Sequence, residues 1–224
     1  EQGETVTVWM FGSTGVFPLK QAYTKLVEHL GIDALILIDG GVDSLMRGDE
    51  SNPGSIIQDA ISLAAVKSLE LPVKICTCLG FGTEVEEGLS HHLALENMAG
   101  LAKENAFWGS CSLTKQMEAF RLYEAASRYV WEQPSHDKSH ISTRIIPAVQ
   151  GEFGNYHMYD DDKRTVVYIS LFMGVYWFFD MEAVIRRNLL IDALQSSYTT
   201  HEARLIYRQM RQVFNIRSDK KILY

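Results

Sequence analysis

Cysteine, proline and an excess of positive charge are all lacking in this sequence. Only 3 of its 224 residues are cysteine and only 5 are proline. An odd number of thiols excludes a framework in which every cysteine is paired, and it is typical of proteins that keep their thiols reduced. We therefore expect a cytoplasmic protein. A chain of this size can bury a sufficient core without disulfides or a structural metal.

The charge balance disfavours further classes of partner, although it leaves a local basic patch open. The chain has 21 Lys and Arg against 28 Asp and Glu, which gives a net charge of −7 at pH 7. This balance disfavours broad attraction to nucleic acid or to an anionic membrane. The most apolar run, residues 165–179, is shorter than the ~20 residues that a membrane-spanning helix needs. We expect a small-molecule ligand, with no nucleic acid and no membrane as a partner.

The sequence does contain an alternation of apolar segments and helical patterns. Residues 5–11, 34–38 and 73–79 are typical of strands, and residues 19–30, 55–70 and 88–104 are typical of the helices that follow them. Strands and helices that alternate with short Gly-rich junctions favour right-handed βαβ units. The prediction is one Rossmann-like α/β domain over residues 1–224, with a mainly parallel sheet and helices on both faces.

The carboxyl-terminal half is predicted to add a hairpin and further helices. Residues 141–149 favour a strand or mixed structure, because Pro147 interrupts them, and the run 165–179 favours a buried strand followed by a short turn or helix. The remaining predictions are helices over residues 114–131, 180–194 and 199–214, and a hairpin of residues 151–158 and 164–170.

The most informative segment is a loop rich in glycine and acid, residues 39–50 (Asp-Gly-Gly-Val-Asp-Ser-Leu-Met-Arg-Gly-Asp-Glu). It follows a predicted buried strand, and ligands of open α/β sheets bind at the carboxyl ends of strands. Gly40 and Gly41 let a ligand approach the backbone, whose N–H groups can cradle an anion. Carboxylates with a hydroxyl group can instead hold a hard cation such as Mg²⁺.

We assign roles within this loop accordingly. Asp39 and Asp43 are predicted to face one pocket, as metal ligands or as a catalytic base. Ser44, Asp49 and Glu50 are predicted to support the ligand, together with the two glycines. In the alternative interpretation, Asp39 accepts hydrogen bonds from the amides of its own loop and the other acids are solvated.

A second junction of the same kind follows the next strand. Gly80, Gly82, Thr83 and Glu84 are predicted to lie beside the first loop and to contact the same ligand, because neighbouring parallel strands end at one edge of the sheet. A single G-x-G is weak evidence for a dinucleotide site. His91, at the start of the next helix, is predicted to face these loops, where an imidazole suits acid–base chemistry.

Together with the segments Leu-Glu-Asn at 95–97, Gly-Glu-Phe-Gly-Asn-Tyr-His at 151–157, Tyr-Trp-Phe-Phe-Asp at 176–180 and Arg-Asn at 187–188, these loops resemble the family known as domain of unknown function 1152. The resemblance extends over nearly the whole chain, in order. It implies a Rossmann-like α/β fold and an additional amino-terminal region with a glycine-rich turn. We therefore expect this chain to be truncated at its amino-terminal end. The resemblance implies no reaction.

Three functional hypotheses remain open. The first is an enzyme that acts on a small phosphorylated or nucleotide-like molecule with a divalent ion such as Mg²⁺, using Asp39, Asp43 and His91. The second is a ligand sensor that uses the same pocket without catalysis. The third is an assembly protein that forms a homo-oligomer through its aromatic carboxyl-terminal part.

Overall fold

The computed structural model describes residues 5–84, 88–134, 137–159 and 166–220. Within these ranges the strands are β1 (Ala34–Asp39), β2 (Val73–Leu79), β3 (Phe107–Ser112) and β4 (Val175–Asp180). The helices are α1 (Val16–Leu30), α2 (Ile57–Val66), α3 (His91–Lys103), α4 (Glu118–Trp131), α5 (Ser142–Gln150), α6 (Met181–Arg187), α7 (Ile191–Leu194) and α8 (Thr200–Val213). The α/β class predicted from the sequence is therefore confirmed.

The sheet is mixed and has the order β1-β2-β4-β3. β1 and β2 run parallel, with Ala34 opposite Val73 and Asp39 opposite Cys78. β4 lies between β2 and β3 and is antiparallel to both. The expectation of a mainly parallel sheet is thus met only by the β1–α2–β2 unit, because β4 enters the sheet from the opposite direction.

The sequence predicts a strand over residues 5–11, and this prediction is wrong. The segment forms no strand and lies along α1, where the ring of Trp9 is 5.7 Å from that of His29 and the ring of Phe11 is 5.0 Å from that of Tyr23. Val8 and Met10 are 77% and 91% exposed. Strand propensity forms a strand only where a neighbouring strand supplies the hydrogen-bonding ladder, and this segment has none.

Other differences from the predicted elements lie in the carboxyl-terminal half. Residues 142–150 form the helix α5 despite Pro147, because this helix buries Ile145, Ile146 and Val149. The apolar run has the reverse of the expected order, with a 3₁₀ helix (Leu171–Gly174) before β4. Of the predicted hairpin, the described residues form a single antiparallel bridge, between Gly154 and Ile169. The acidic turn of that hairpin lies outside the described residues.

Two apolar clusters pack against opposite faces of the sheet, since consecutive strand residues point to opposite sides. The larger cluster includes Cys76, Cys78 and Phe179 of the sheet and packs them against α2, α6 and α7. The smaller cluster packs Leu79 against α4, α5 and the 3₁₀ helix before β4. Among the helices described, none has both the length and the apolar character needed to cross a membrane.

Short-range signals set several of the helix ends, but not the start of α2. The α1 helix ends at Gly31, whose φ of +62° favours glycine. Ser90 caps α3 by accepting a hydrogen bond from the Leu93 N–H, and Thr199 caps α8 in the same way. The spacing of Ser55 and Gln58 fits a capping box and predicts Ser55 as the cap of α2. Ser55 does not cap that helix, which begins at Ile57, and its hydroxyl group donates to Asp43 in the acidic loop.

Candidate functional site

Four carboxyl groups converge at the carboxyl ends of β1 and β2. Asp39 is the last residue of β1, Asp43 opens a short 3₁₀ helix, Asp59 lies in the first turn of α2, and Glu84 follows β2. One carboxylate oxygen from each of Asp39, Asp43 and Asp59 lies within 4.8 Å of the other two. We call these three residues and Glu84 the carboxylate cluster.

Glu84 joins the cluster through the backbone of the acidic loop. Its Oε2 accepts a hydrogen bond of 2.6 Å from the Val42 N–H. A Cβ atom at Gly41 would lie 2.4 Å from the Glu84 carboxyl carbon, so only a glycine leaves room for this contact. The glycine that the sequence assigned to a ligand thus makes room for a carboxyl group of the protein.

Hydrogen bonds from the loops hold the first two aspartates in place. Asp43 Oδ2 accepts a hydrogen bond of 2.7 Å from the Ser55 hydroxyl group, and Asp39 Oδ2 accepts one of 3.2 Å from the Ser44 N–H. The Ser44 hydroxyl group is buried between the Asp39 carboxyl group and the Cys76 thiol and forms no well-aligned hydrogen bond within the described residues. This hydroxyl group therefore adds a further oxygen donor to the cluster.

The electrostatics of the cluster favour bound protons. Burial, and then the charge of Asp43, raises the pKa of Asp39 to about 7 and that of Glu84 to about 10. The same two causes raise the pKa of Asp59 well above its usual range. Among the described residues, no lysine or arginine forms an ion pair with any of the four carboxyl groups. At neutral pH the cluster consequently contains protonated carboxyl groups.

A cavity of about 90 Å³ opens beside the cluster and is lined by Asp39, Ser44, Asp59 and Ser62, among others. Asp43 and Glu84 are 2% and 5% exposed, whereas Asp39 and Asp59 are partly accessible to solvent. The two accessible carboxyl groups can therefore meet a ligand while the two buried ones lie behind them.

The turn after β2 positions Glu84 beside the acidic loop, and two glycines give the turn its conformation. Gly80 and Gly82 have φ of +99° and +94°, a region that favours glycine. Thr83 donates a hydrogen bond of 2.7 Å from its hydroxyl group to the Gly80 carbonyl group and so closes the turn.

In the loop after β1, Gly40 lies against Ile141, whose side chain would be 3.3 Å from a Cβ atom added at Gly40.

The structure places Asp49 and Glu50 apart from the cluster. Glu50 is fully buried and accepts hydrogen bonds from the Arg47 and Gly48 N–H groups at 2.9 and 2.8 Å. The guanidinium group of Arg217 contacts both acids, at 2.7 Å each. These two carboxylates therefore bind the carboxyl-terminal segment of the chain to the end of the acidic loop.

His91 lies at the start of α3, half-buried against the ring of Phe81 at 5.2 Å. Burial lowers its pKa, and the charge of Asp219 opposes this shift. Within the described part of the chain, its Nε2 is buried and has no hydrogen-bond partner. Phe81 and Asp219 are thus two of its described neighbours, and the acid–base role of His91 stays a prediction.

Asp59 is the cluster residue that the sequence interpretation missed. The sequence pattern assigns Asp59 only to the helix predicted over residues 55–70 and gives it no role at the site. A usable signal was present, because the first turn of a helix that follows a strand points back toward the edge where the strand ends. An acid at this position can therefore reach the loop after β1.

Comparison with known proteins gives one result at the level of the family. No curated protein and no solved structure matches this chain. The sequence profile of the family described as "Protein of unknown function (DUF1152)" matches residues 4–220, which is nearly the whole chain. The resemblance expected from the loops is confirmed, and the chain belongs to this family.

Proposed function

We propose that this protein binds a divalent cation of the Mg²⁺ type through Asp39, Asp43 and Asp59, and acts with it on a small phosphorylated or nucleotide-like ligand. The observation that carries the proposal is the approach of three carboxylate oxygens to within 4.8 Å of one another. Oxygens on opposite sides of one ion are ~4.2 Å apart for Mg²⁺ and ~4.8 Å apart for Ca²⁺, from the usual metal–oxygen distances. If the distances between the three carboxylate oxygens shorten slightly, all three oxygens can therefore bind one ion.

The charge of the cluster supports the same proposal. Three or four carboxylates in one low-dielectric space repel one another unless protons or a cation neutralise them. Among the described residues, no basic side chain pairs with these groups. Carboxylate and hydroxyl oxygens are the donors that hard divalent cations prefer.

The proposal of a phosphorylated ligand is supported by the further ligands that a protein-bound Mg²⁺ usually has. Mg²⁺ in proteins is usually held by one or two carboxylates together with water and phosphate oxygens of a substrate. Asp39 and Asp59 border the cavity and thus lie on the side from which a phosphate group can approach. A bound ion would neutralise part of the phosphate charge. Where no ion is bound, Asp39 has a pKa of about 7 and can accept or donate a proton near neutral pH. With an ion bound, its carboxylate stays ionised as a ligand.

Thermal unfolding with added MgCl₂, MnCl₂ and CaCl₂ tests the ion site. We expect at least one of these ions to raise the melting temperature of the native protein, but not that of Asp43→Asn. Asp192→Asn is a matched control, because Asp192 has a side chain that is 87% exposed and pairs with Lys67, outside the cluster. Equal stabilisation of Asp43→Asn and the native protein would refute the ion site.

Turnover separates an enzyme from a sensor that uses the same pocket. The protein is incubated with Mg²⁺ and a panel of sugar phosphates and nucleotides, and the products are analysed by chromatography. An enzyme consumes a member of the panel and loses that activity in Asp43→Asn. Binding of a panel member without any product, over long incubation, would support the sensor instead.

A further inference from the structure

We infer that an uncharged groove beside the carboxylate cluster holds the sugar part of a phosphorylated sugar, either free or as part of a nucleotide. This inference rests on the proposed function and names the class of its ligand. The groove has a volume of about 280 Å³. Its lining includes Phe11, Ser13, Tyr23, Gln58, Ser62 and Thr200.

The groove is connected with the carboxylate cluster through Ser62. This residue lines both the groove and the smaller cavity that contains Asp39 and Asp59. On α2, Ser62 follows Asp59 by three positions and Gln58 by four, and such neighbours on a helix lie roughly 5–6 Å apart at their Cβ atoms. A ligand whose phosphate group lies at the cluster would therefore place its next few atoms against Ser62 and Gln58.

The chemistry of the lining matches a group with several hydroxyls and no charge. Among the residues that the structure describes, those that line the groove include no acid, lysine, arginine or histidine. Hydroxyl and amide side chains both donate and accept hydrogen bonds, as sugar hydroxyls do. The Ser13 and Thr200 hydroxyl groups lie 2.9 Å apart, and their hydrogen bond joins two sides of the groove. Each hydroxyl group can form a further hydrogen bond with a ligand.

Two aromatic rings form an apolar wall for the carbon face of the sugar. The rings of Phe11 and Tyr23 meet edge to face, with centroids 5.0 Å apart. The volume is close to the lower end of the roughly 300–1,000 Å³ that small-molecule sites have, which suits one sugar ring rather than a chain of them.

The nearby helix terminus does not compete for the phosphate group. The N–H groups of Gly15 and Phe17, at the start of α1, donate to the carbonyl groups of Tyr198 and Ser197. The Val16 N–H donates to the Ser197 hydroxyl group at 3.0 Å. Since these donors are occupied within the protein, the anionic end of the ligand belongs at the ion and the neutral end belongs in the groove.

Calorimetric titration of the protein in MgCl₂ tests this arrangement with four probes: ribose 5-phosphate, AMP, ribose and inorganic phosphate. We expect ribose 5-phosphate to bind at least about tenfold more tightly than phosphate, as one or two added hydrogen bonds would produce. The double variant Gln58→Ala/Ser62→Ala should lose that advantage and keep its affinity for Mg²⁺ and for phosphate. Ser68→Ala, an exposed position just beyond α2, serves as the control.

The outcomes separate the two proposals. If Mg²⁺ itself fails to bind, both the proposed function and this inference are overturned. If Mg²⁺ and phosphate bind but ribose 5-phosphate has no advantage, only the sugar groove is overturned. The sugar groove alone is also overturned if the double variant still binds ribose 5-phosphate more tightly than phosphate. Tighter binding of AMP than of ribose 5-phosphate identifies a nucleotide, and equal or weaker binding of AMP identifies a free sugar phosphate.

Discussion

Glu84 Oε2 accepts a hydrogen bond of 2.6 Å from the Val42 N–H and so joins the turn after β2 to the loop after β1. Neither residue belongs to a strand, and the chain separation between them is 42 residues. The contact brings a fourth carboxyl group against Asp43, and much of the behaviour expected of the site follows from it.

The first prediction concerns pH and stability in the absence of metal. The pKa of Glu84 is raised to about 10 in the folded protein, so between its unfolded value near 4.5 and pH 10 the folded state binds the extra proton. The free energy of unfolding should therefore be greatest below that window and fall as the pH rises through it, by at most ~1.4 kcal/mol per pH unit for one proton. Glu84→Gln should show a shallower fall, as measured by urea unfolding at a series of pH values. An identical slope in both proteins would contradict the assignment.

The second prediction concerns Asp39 and ion binding. Because the pKa of Asp39 is raised to about 7, an ion must displace a proton below that pH. Affinity for Mg²⁺ should increase as the pH rises from about 6 to 8, and the calorimetric enthalpy should vary with the ionisation enthalpy of the buffer. Asp39→Asn should bind no Mg²⁺ and be at least as stable as the native protein without metal, because a source of repulsion is removed. A clear loss of stability in this variant would instead favour a role in tying down the loop amides.

The third prediction tests the room that Gly41 leaves for Glu84. An added Cβ would lie 2.4 Å from the carboxyl carbon, so Gly41→Ala should displace Glu84 and lower the free energy of unfolding by about 1–3 kcal/mol. Gly12→Ala is the matched control, because no atom of the described residues lies within 4 Å of its added Cβ and its backbone needs no positive φ. Thermal and urea unfolding of both variants measure the difference. A Gly41→Ala protein as stable as Gly12→Ala would show that Glu84 can move freely.

The fourth prediction concerns the ion pair behind the acidic loop. Arg217 Nη2 lies 2.7 Å from Glu50 Oε1, and the Glu50 side chain is fully buried. Arg217→Met leaves this carboxylate without its cation. The cost should lie below the roughly 3–5 kcal/mol of a fully buried pair, because the Arg217 side chain is 22% exposed and Glu50 keeps hydrogen bonds from Arg47, Gly48 and Asn97. Arg128→Met is the control, since Arg128 forms an i,i+4 surface pair with Glu124 that is worth roughly 0.3–0.5 kcal/mol. Similar urea midpoints for the two variants would rule out a structural role for the Arg217 pair.

The fifth prediction concerns self-association, which stays a proposal from the sequence. β1 is an edge strand of the described sheet, and Ile36 on it is 53% exposed. Unpaired edges with apolar side chains promote pairing between chains, and a lysine on the edge opposes it. Sedimentation velocity should show association that increases with concentration and that Ile36→Lys reduces. Val213→Lys on α8, where Val213 is 77% exposed, should leave association unchanged.

Short-range patterns were sufficient for part of the fold and part of the site. The existence of strands β1 and β2, the stop of α1 at Gly31 and the cap of α8 at Thr199 depend on neighbouring residues alone. The predicted burial of β1 is wrong, because β1 lies at the edge of the described sheet, where Ile36 and Ile38 are 53% and 65% exposed. The loops after two adjacent parallel strands meet at one edge of a sheet, and this rule alone predicts that Asp39, Asp43 and Glu84 lie together.

Tertiary structure decided the rest, because partners distant in sequence compete for each hydrogen bond and each buried surface. Residues 5–11 have strand propensity but no strand beside them, whereas β4 lies between β2 and β3 because its two edges both find partners there. Ser55 bonds to Asp43 instead of capping α2, and Glu50 turns to Arg217, 167 residues further along the chain. Local sequence determines which residues can form a helix, a turn or an acidic loop. Long-range packing determines which carboxylates share one space, and so it places Asp59 in the cluster.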